Sequence, residues 1–425
     1  MSGQRYDLVV VGAGIFGLTS AYHVLRNGSA RVLIIDERSG PGQGNTGRSV
    51  GGFRSGLFSS ELNRVLSEST VAFFRHLQFS GVDLGMEEVG YLILLTEEMK
   101  VKYSKIIEDL RGTSKVVEYD VKELQRAIPY ARFELEGDEE AKILGLDKIK
   151  GAIFSPRSGY LDVEKLVDYY YRELRSMGAE FKFNTRVERL NLRPVKSIGH
   201  PREPLAWQAK RIESIETGDG TLRADQFLLA AGSWVNQLTD PLGIESFIRP
   251  KKRQVFAVKA TGGLSAFFDT EGFNETRSLP MTFIPKGPHI IPRVRERSLW
   301  FGFSDDVGRP WGIDDRPEES FYFDNIHPVL SRVFPVLENV RPDSMWAGSY
   351  SINAIDQSPI VYRVLNLVTV TGGSGSGLMK SDSVGRVAAA VIMGKETVEL
   401  FDGRKIDVEL LDVRRRRPDP EILVF

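Results

Sequence analysis

Three glycines near the start of the chain, Gly12-x-Gly14-x-x-Gly17, are followed 19 residues later by an acid, Asp36. The chemistry that suits this spacing is dinucleotide binding. A strand that feeds a helix leaves backbone N–H groups and the positive end of a helix dipole at the turn. Glycines there let the chain turn sharply and let a pyrophosphate approach the main chain. The acid lies where ribose hydroxyls need an acceptor, and an acid rather than a base disfavours a 2′-phosphate. Gly12, Gly14, Ile15, Phe16, Gly17, Asp36 and Glu37 are therefore expected to bind the dinucleotide. The motif alone does not separate one dinucleotide from another.

Two later stretches complete such a site. Leu228 to Trp234 (LLAAGSW) is a buried strand ending in a glycine turn, with Ala231, Gly232 and Trp234 at its close. Gly372 to Lys380 (GGSGSGLMK) follows the apolar run Leu367 to Thr371 and precedes a helix with Val384, Val387, Ala388 and Val391 in register. Small side chains let a backbone press against a flat ring, and a helix start aims its positive dipole end there.

In this order and spacing, the three motifs resemble the D-amino-acid oxidase superfamily of FAD oxidoreductases. The resemblance spans nearly the whole chain. The nearer branch holds glycine oxidase, sarcosine oxidase and dimethylglycine dehydrogenase. Asn45 to Arg54 (NTGRSVGGFR) is similar to that branch's loop across the flavin face, which adds Gly47, Arg48, Ser49 and Gly52 as cofactor contacts. Gly159 to Asp162 is similar to its mid-chain turn, and Trp346-Ala347-Gly348 to its last substrate-domain strand. The resemblance also implies cofactor contacts at Val187, Gly348, Gly373, Gly375, Ser376, Gly377, Leu378 and Met379. A helix dipole at the pyrimidine edge of the flavin would favour its reduction.

The chain departs from the branch in one respect. Glycine oxidase and D-amino-acid oxidase place an arginine shortly after Trp-Ala-Gly to clamp the substrate carboxylate; here Ser349 and Tyr350 stand there. Arg54 matches the early-loop arginine of monomeric sarcosine oxidase. Lys380 is one residue displaced from that enzyme's lysine, whose place Met379 takes, and fits the spacing of the heterotetrameric enzyme's β subunit. Arg54 and Lys380 are the expected carboxylate partners, with Tyr350 beside them. His289 and Arg293 lie on a probable strand, PHIIPR, whose alternation puts both on one face.

The resemblance implies FAD-dependent oxidation of a C–N bond next to a carboxylate, leaving an imine. The chain most resembles the archaeal dye-linked L-proline dehydrogenases, so a secondary amine such as L-proline or sarcosine is the expected substrate, giving a cyclic imine from proline. Sarcosine, dimethylglycine or a D-amino acid is the alternative, and a subunit that only relays electrons through FAD is a second. The electron acceptor (dye, quinone or oxygen) and the oligomeric state stay open.

These residues need a scaffold. Tyr6 to Val11, Arg31 to Ile35 and Asp225 to Ala231 read as buried parallel strands, because their apolar runs do not alternate. Residues 247–345 are rich in strands. Helices are expected over Ser60 to Phe79 and Glu97 to Leu110, a strand over Phe181 to Leu190, and a surface loop over 191–205. The pattern is α/β, α+β overall: a discontinuous, Rossmann-like FAD-binding domain (1–85, 151–245 and 346–413) with an inserted mixed-sheet substrate domain (86–150 and 246–345). A C-terminal tail covers 414–425.

With 425 residues and a net charge of -1, no global field favours nucleic acid or an anionic membrane. Zero cysteines exclude disulfides, thiolate metal sites and a flavin tethered through sulfur. FAD is thus expected to bind noncovalently, a histidine such as His76 being the other conceivable tether, and no metal site is expected. His23 is read as a packing residue of the first helix. No apolar run suits a membrane helix, so a cytoplasmic protein is expected, loose membrane association being left open. The tail ends in Glu421-Ile422-Leu423-Val424-Phe425, and four large apolar residues are expected to dock in a groove, either on the nearest surface or over the amine pocket.

Overall fold

A computed structural model describes residues 5–113, 116–146, 149–305 and 307–423. The strand Arg5–Val11 pairs in parallel with Val32–Ile35 on one side and Gly220–Leu229 on the other. Glu180–Lys182 and Leu367–Thr371 extend this parallel sheet, and Ile360–Val364 closes one edge antiparallel. The strands carry no polar alternation because both faces are covered. Leu8, Val10, Val32 and Ile34 share a core with the helices Ile15–Asn27, Val163–Ser176 and Ser381–Ile392. Val9, Val11, Leu33 and Ile35 share the opposite core with Leu190, Ile212 and Ile215 of an antiparallel hairpin, Val187–Pro194 with Lys210–Thr217.

That hairpin corrects two expectations. The run 181–190 is two strands, Glu180–Lys182 and Val187–Pro194, separated where Asn184 adopts φ 52°. Residues 191–194, expected in a loop, continue the second strand, because Leu192 still packs against the core under the sheet.

A second sheet of eight strands runs in the order Ser344–Asn353, Ile248–Lys259, Ser298–Phe303, Pro288–Arg293, Met281–Phe283, Tyr91–Thr96, Ile149–Ser155, Val117–Tyr119. Here alternation is clear. Leu92, Phe154, Phe256, Ile290 and Phe301 pack beneath Leu264, Phe267, Tyr322 and Leu330. Tyr91, Ile93, Met281, Phe283 and Ile291 occupy the other face. The expected domain bounds placed residues 151–155 and 346–353 with the parallel sheet, whereas both runs are strands of this second sheet.

The architecture is a mixed α/β fold whose parallel sheet draws strands from the beginning, middle and end of the chain, with the second sheet inserted between them. The Glu61–Phe79 helix, capped by Ser60, packs beside the Ser381–Ile392 helix. Among the described residues no helix is long and apolar enough to cross a membrane.

Candidate active site

The first strand ends at Val11, and the chain turns at Gly12 with φ +106°. A Cβ on Gly12 would stand 2.5 Å from the Ala230 carbonyl oxygen, so only glycine fits this turn. The helix that follows begins at Ile15 without a side-chain cap from Gly14. Its Ile15 N–H donates to Thr46 Oγ1 at 3.1 Å. Asp36, at the end of the next strand, accepts from the Ala13 N–H at 2.7 Å and the Arg38 N–H at 2.9 Å. The carboxylate is thereby oriented at the mouth of the glycine turn.

These groups open onto a single cavity of about 520 Å³ that reaches the second sheet. Gly12, Gly14, Ile15, Phe16, Asp36 and Glu37 line one end, with Val187, Ala231, Gly232 and Trp234. Arg48, Ser49, Gly52, Gly348, Tyr350 and the loop Gly373, Gly375, Ser376, Gly377, Leu378 and Met379 line its middle. Gly375 has φ +81°, and a Cβ there would meet the Tyr350 ring at 2.5 Å. The loop runs through the short turn Leu378–Lys380 into the Ser381–Ile392 helix, so a helix start faces the glycine loop as expected.

Two expected cofactor contacts do not line the cavity. Gly17 packs against the Gly12 carbonyl, which keeps the helix close to the strand. Gly47 donates its N–H to the Gly42 carbonyl at 2.7 Å and holds the shape of the loop.

The second sheet forms the far wall. Strand Ile248–Lys259 turns Lys251, Arg253 and Val255 to the cavity, and strand Ser344–Asn353 turns Trp346, Gly348 and Tyr350. Tyr91, Met281, Phe283, His289 and Ile291 add an aromatic and apolar surface. Burial pushes the Tyr91 and Tyr350 hydroxyls above their ordinary range and the His289 imidazole down to about 4. His289 is therefore neutral at physiological pH. Arg293 sits on the same strand as His289 but outside the cavity. It donates to the Val50 carbonyl at 3.0 Å and lies between the rings of Tyr160, at 4.1 Å, and Trp300, at 4.4 Å.

Arg54 lines the cavity and is 7% exposed. Its guanidinium lies 4.0 Å over the Phe58 ring and donates from Nη1 to the Leu423 carbonyl at 2.9 Å. Burial lowers the guanidinium, and the Glu421 carboxylate opposes that shift. Lys380 does not line the cavity. Its ammonium turns into the packing against the Glu61–Phe79 helix, donates to Asn63 Oδ1 at 2.7 Å and stands 4.8 Å over Phe58. Lys380, expected at the substrate, is thus not among the residues that line the cavity, to which the short helix gives Leu378 and Met379.

His76 is exposed on its helix against Phe401, away from the cavity. His23 is buried and bonds Asp382 at 2.7 Å, which agrees with a packing role. Of the four apolar residues expected to dock, Leu423 is buried, 1% exposed, beside Tyr91, Met281 and Ile291, and Ile422 is 47% exposed; Val424 and Phe425 lie outside the described residues.

Sequence reasoning did not single out Thr46, Tyr91, Lys251, Arg253 or Glu421 as site residues. For Lys251 and Arg253 a signal exists: 251, 253 and 255 alternate on one strand, but that strand begins at Ile248, before the apolar run that marks it.

A dinucleotide with a flat ring system fits these residues. The glycine turn brings Gly12 too close to Ala230 for a side chain and lines the cavity with backbone, Asp36 offers an acceptor at its far end, and the small-residue loop lines the broad middle of the cavity. Comparison with known proteins agrees. Bovine (Bos taurus) FAD-dependent oxidoreductase domain-containing protein 1 is 25% identical over 92% of this chain and 82% of its own length. Human (Homo sapiens) mitochondrial dimethylglycine dehydrogenase is 22% identical over 70% of this chain but only 30% of its own length. The crystal structure of L-proline dehydrogenase from P. horikoshii superposes with a TM-score of 0.74 at 21% identity, covering 96% of this chain and 97% of that one. Glycine oxidase from Geobacillus kaustophilus gives 0.73 at 20%, covering 97% and 99%. The DAO family model, FAD dependent oxidoreductase, matches residues 7–391. This chain belongs to that family of FAD-dependent oxidoreductases.

Proposed function

We propose that the chain oxidises the C–N bond of an amino acid or secondary amine next to its carboxylate, with L-proline the leading substrate and a cyclic imine the product. The observation that carries this reading is Arg54. A buried guanidinium stands in the cavity wall two residues after Gly52, in a cavity that Tyr91, Met281, Phe283 and Ile291 also line. A cation beside an aromatic and apolar surface suits a small zwitterion or amino acid whose carboxylate it binds.

Bound FAD supplies the two-electron acceptor. The chain's own part is to orient and to exclude water. Arg54 holds the carboxylate, and the aromatic wall keeps the amine carbon dry and close to the glycine loop. His289 is neutral and offers no charge to the amine. An amine that binds unprotonated needs no dedicated base. The solved relatives with this fold include enzymes named for proline and for glycine, which supports a small amino acid.

Anaerobic mixing of the purified flavoprotein with L-proline, D-proline, sarcosine, dimethylglycine and glycine tests this. Bleaching of the flavin by L-proline ahead of the others is expected. Bleaching by sarcosine or a D-amino acid moves the substrate within the class. A flavin that dithionite bleaches but no amine does would make the chain an electron relay.

A further inference from the structure

The surface loop between the strands Val187–Pro194 and Lys210–Thr217 takes no part in the site, yet it is closely built. Its ends are joined, the Val195 N–H donating to the Ala209 carbonyl at 2.8 Å. One carboxylate organises its interior. Glu203 accepts from the Ser197 hydroxyl and the Ile198 N–H, both at 2.6 Å, and from Gln208 Nε2 at 3.2 Å. Gln208 is itself buried, donates to the Lys196 carbonyl at 3.4 Å and accepts from the Leu205 N–H at 2.6 Å. A surface loop bonded to itself in this way holds a definite shape.

That shape turns apolar side chains to water. Val195 is 63% exposed, Ile198 58% and Trp207 73%. One exposed apolar residue is ordinary, but three in a single bonded loop make a patch that water disfavours. Joining the two strands requires none of them, since the hairpin is already paired at Lys210 and Pro194. The charges around the patch are of one sign. Lys196 and Arg202 are exposed within the loop and Lys210 stands at its base. The one acid of 195–210 is Glu203, whose oxygens are turned inward. At the neck Arg193 pairs with Glu213, which cancels both.

A small apolar tip framed by cations fits acyl chains beneath anionic headgroups. Tryptophan favours that boundary because its ring is apolar and its N–H polar. Lysine and arginine beside it reach back to the phosphates. Apolar insertion and basic attraction are each weak alone and hold together. A stable protein interface buries about 800 Å² on each partner, more than three side chains of one loop present.

We propose that the loop 195–209 docks the protein on an anionic lipid surface, with Val195, Ile198 and Trp207 entering the headgroup boundary and Lys196 and Arg202 pairing with lipid phosphates. The eight-residue strand from Val187, which lines the cavity, to Pro194 spans roughly 25 Å. Docking through the loop therefore holds the cavity off the lipid.

The test is co-sedimentation of the intact flavoprotein with two kinds of vesicle, phosphatidylcholine alone and equal parts phosphatidylcholine and phosphatidylglycerol. Quenching of tryptophan emission by brominated lipid is the second readout. The wild type is expected to sediment with the anionic vesicles ahead of the neutral ones and to be released as salt is raised. Trp207→Ser and Ile198→Ser should each weaken partitioning by about tenfold. Trp207→Phe should still bind but lose most of the quenching. Lys196→Glu combined with Arg202→Glu should abolish the preference for anionic lipid. Phe79→Ser, which removes an exposed apolar residue from a different element, should change nothing. FAD content and melting temperature are measured for each variant; where a serine variant lowers either, the Lys196 and Arg202 substitutions carry the test.

No sedimentation of the wild type with anionic vesicles overturns the inference. Sedimentation that every loop variant leaves intact also overturns it, because another surface would then bind. Self-association of the wild type that Trp207→Ser abolishes, without binding to vesicles, overturns it in favour of a contact between two copies of the chain.

Discussion

Arg54 and Leu423 stand 369 residues apart in the chain, yet the guanidinium of one bonds the carbonyl of the other at 2.9 Å across the cavity wall. The first ends the short strand Gly52–Arg54, which pairs with Ser158–Tyr160, and the second belongs to a segment that follows the last helix. Their contact ties the end of the described chain to the site that its beginning builds. Stability of that end should therefore be visible in the site.

Arg416 and Asp356 provide the anchor for this link, with side-chain exposures of 4% and 1%. Removing one member of such a pair leaves a buried, uncompensated charge and costs about 3–5 kcal/mol. Arg416→Ala should lower the melting temperature strongly, and Asp356→Ala likewise. The double variant should be less destabilised than the sum of the two, because neither charge is then stranded. Additive losses in a thermal or urea melt would mean that the pair is not coupled as the 2.7 Å contacts imply.

Gly12→Val should give colourless protein. The substitution meets the Ala230 carbonyl at 2.5 Å in a conformation that β-branched residues avoid. Absorbance of the purified variant near the flavin bands checks this, and normal FAD content would refute the turn geometry. In the wild type, acid precipitation should release the chromophore to the supernatant, since the chain has no cysteine and His76 lies away from the cavity, which leaves His289 as the histidine that lines it. Colour retained in the pellet would point to a covalent bond.

How much of this was legible beforehand depends on where each constraint lies. The glycine turn, Asp36 and the parallel strands are local: spacing and unbroken apolar runs specify them, and the structure has them as read. The cavity's far wall is not local. Lys251 and Arg253 precede the apolar core of their strand, so nothing in the run from Gln254 onward points back to them. Lys380 was expected in the site from its spacing, but a partner 317 residues away, Asn63, draws its ammonium into the opposite side. Alternation correctly put His289 towards the cavity, and failed for Arg293 because Val50, Tyr160 and Trp300 meet it at the strand's end.

A neutral His289 has a kinetic consequence. Its imidazole is pushed down to about 4 by burial, so it does not titrate between pH 5 and 8. The profile of kcat/KM should rise with pH only as the substrate amine loses its proton, with no separate limb near the ordinary histidine value of about 6.5. His289→Gln should leave the shape of that profile unaltered even if the rate falls. A limb near 6.5 that His289→Gln removes would show that the imidazole is protonated during turnover.

Lys380 makes the last prediction. Burial pulls its ammonium down to about 7, against an unfolded value of about 10.4. Between these values the unfolded chain binds the proton more fully than the folded one. Stability contributed through this group therefore rises as pH climbs from about 7 towards 10.4, by at most about 1.4 kcal/mol per pH unit, and is flat below that window. Lys380→Met abolishes the term while keeping an apolar side chain of similar length in the same pocket. Melting temperatures of the two proteins, measured from pH 6 to 10, should thus diverge: wild type gains on the variant as the solution becomes alkaline. Other lysines and tyrosines titrate in this range, but they are common to both proteins and cancel in the difference. Parallel curves would show that the lysine keeps its proton when folded, held by Asn63 and by the nearby Glu421 carboxylate more firmly than burial opposes it.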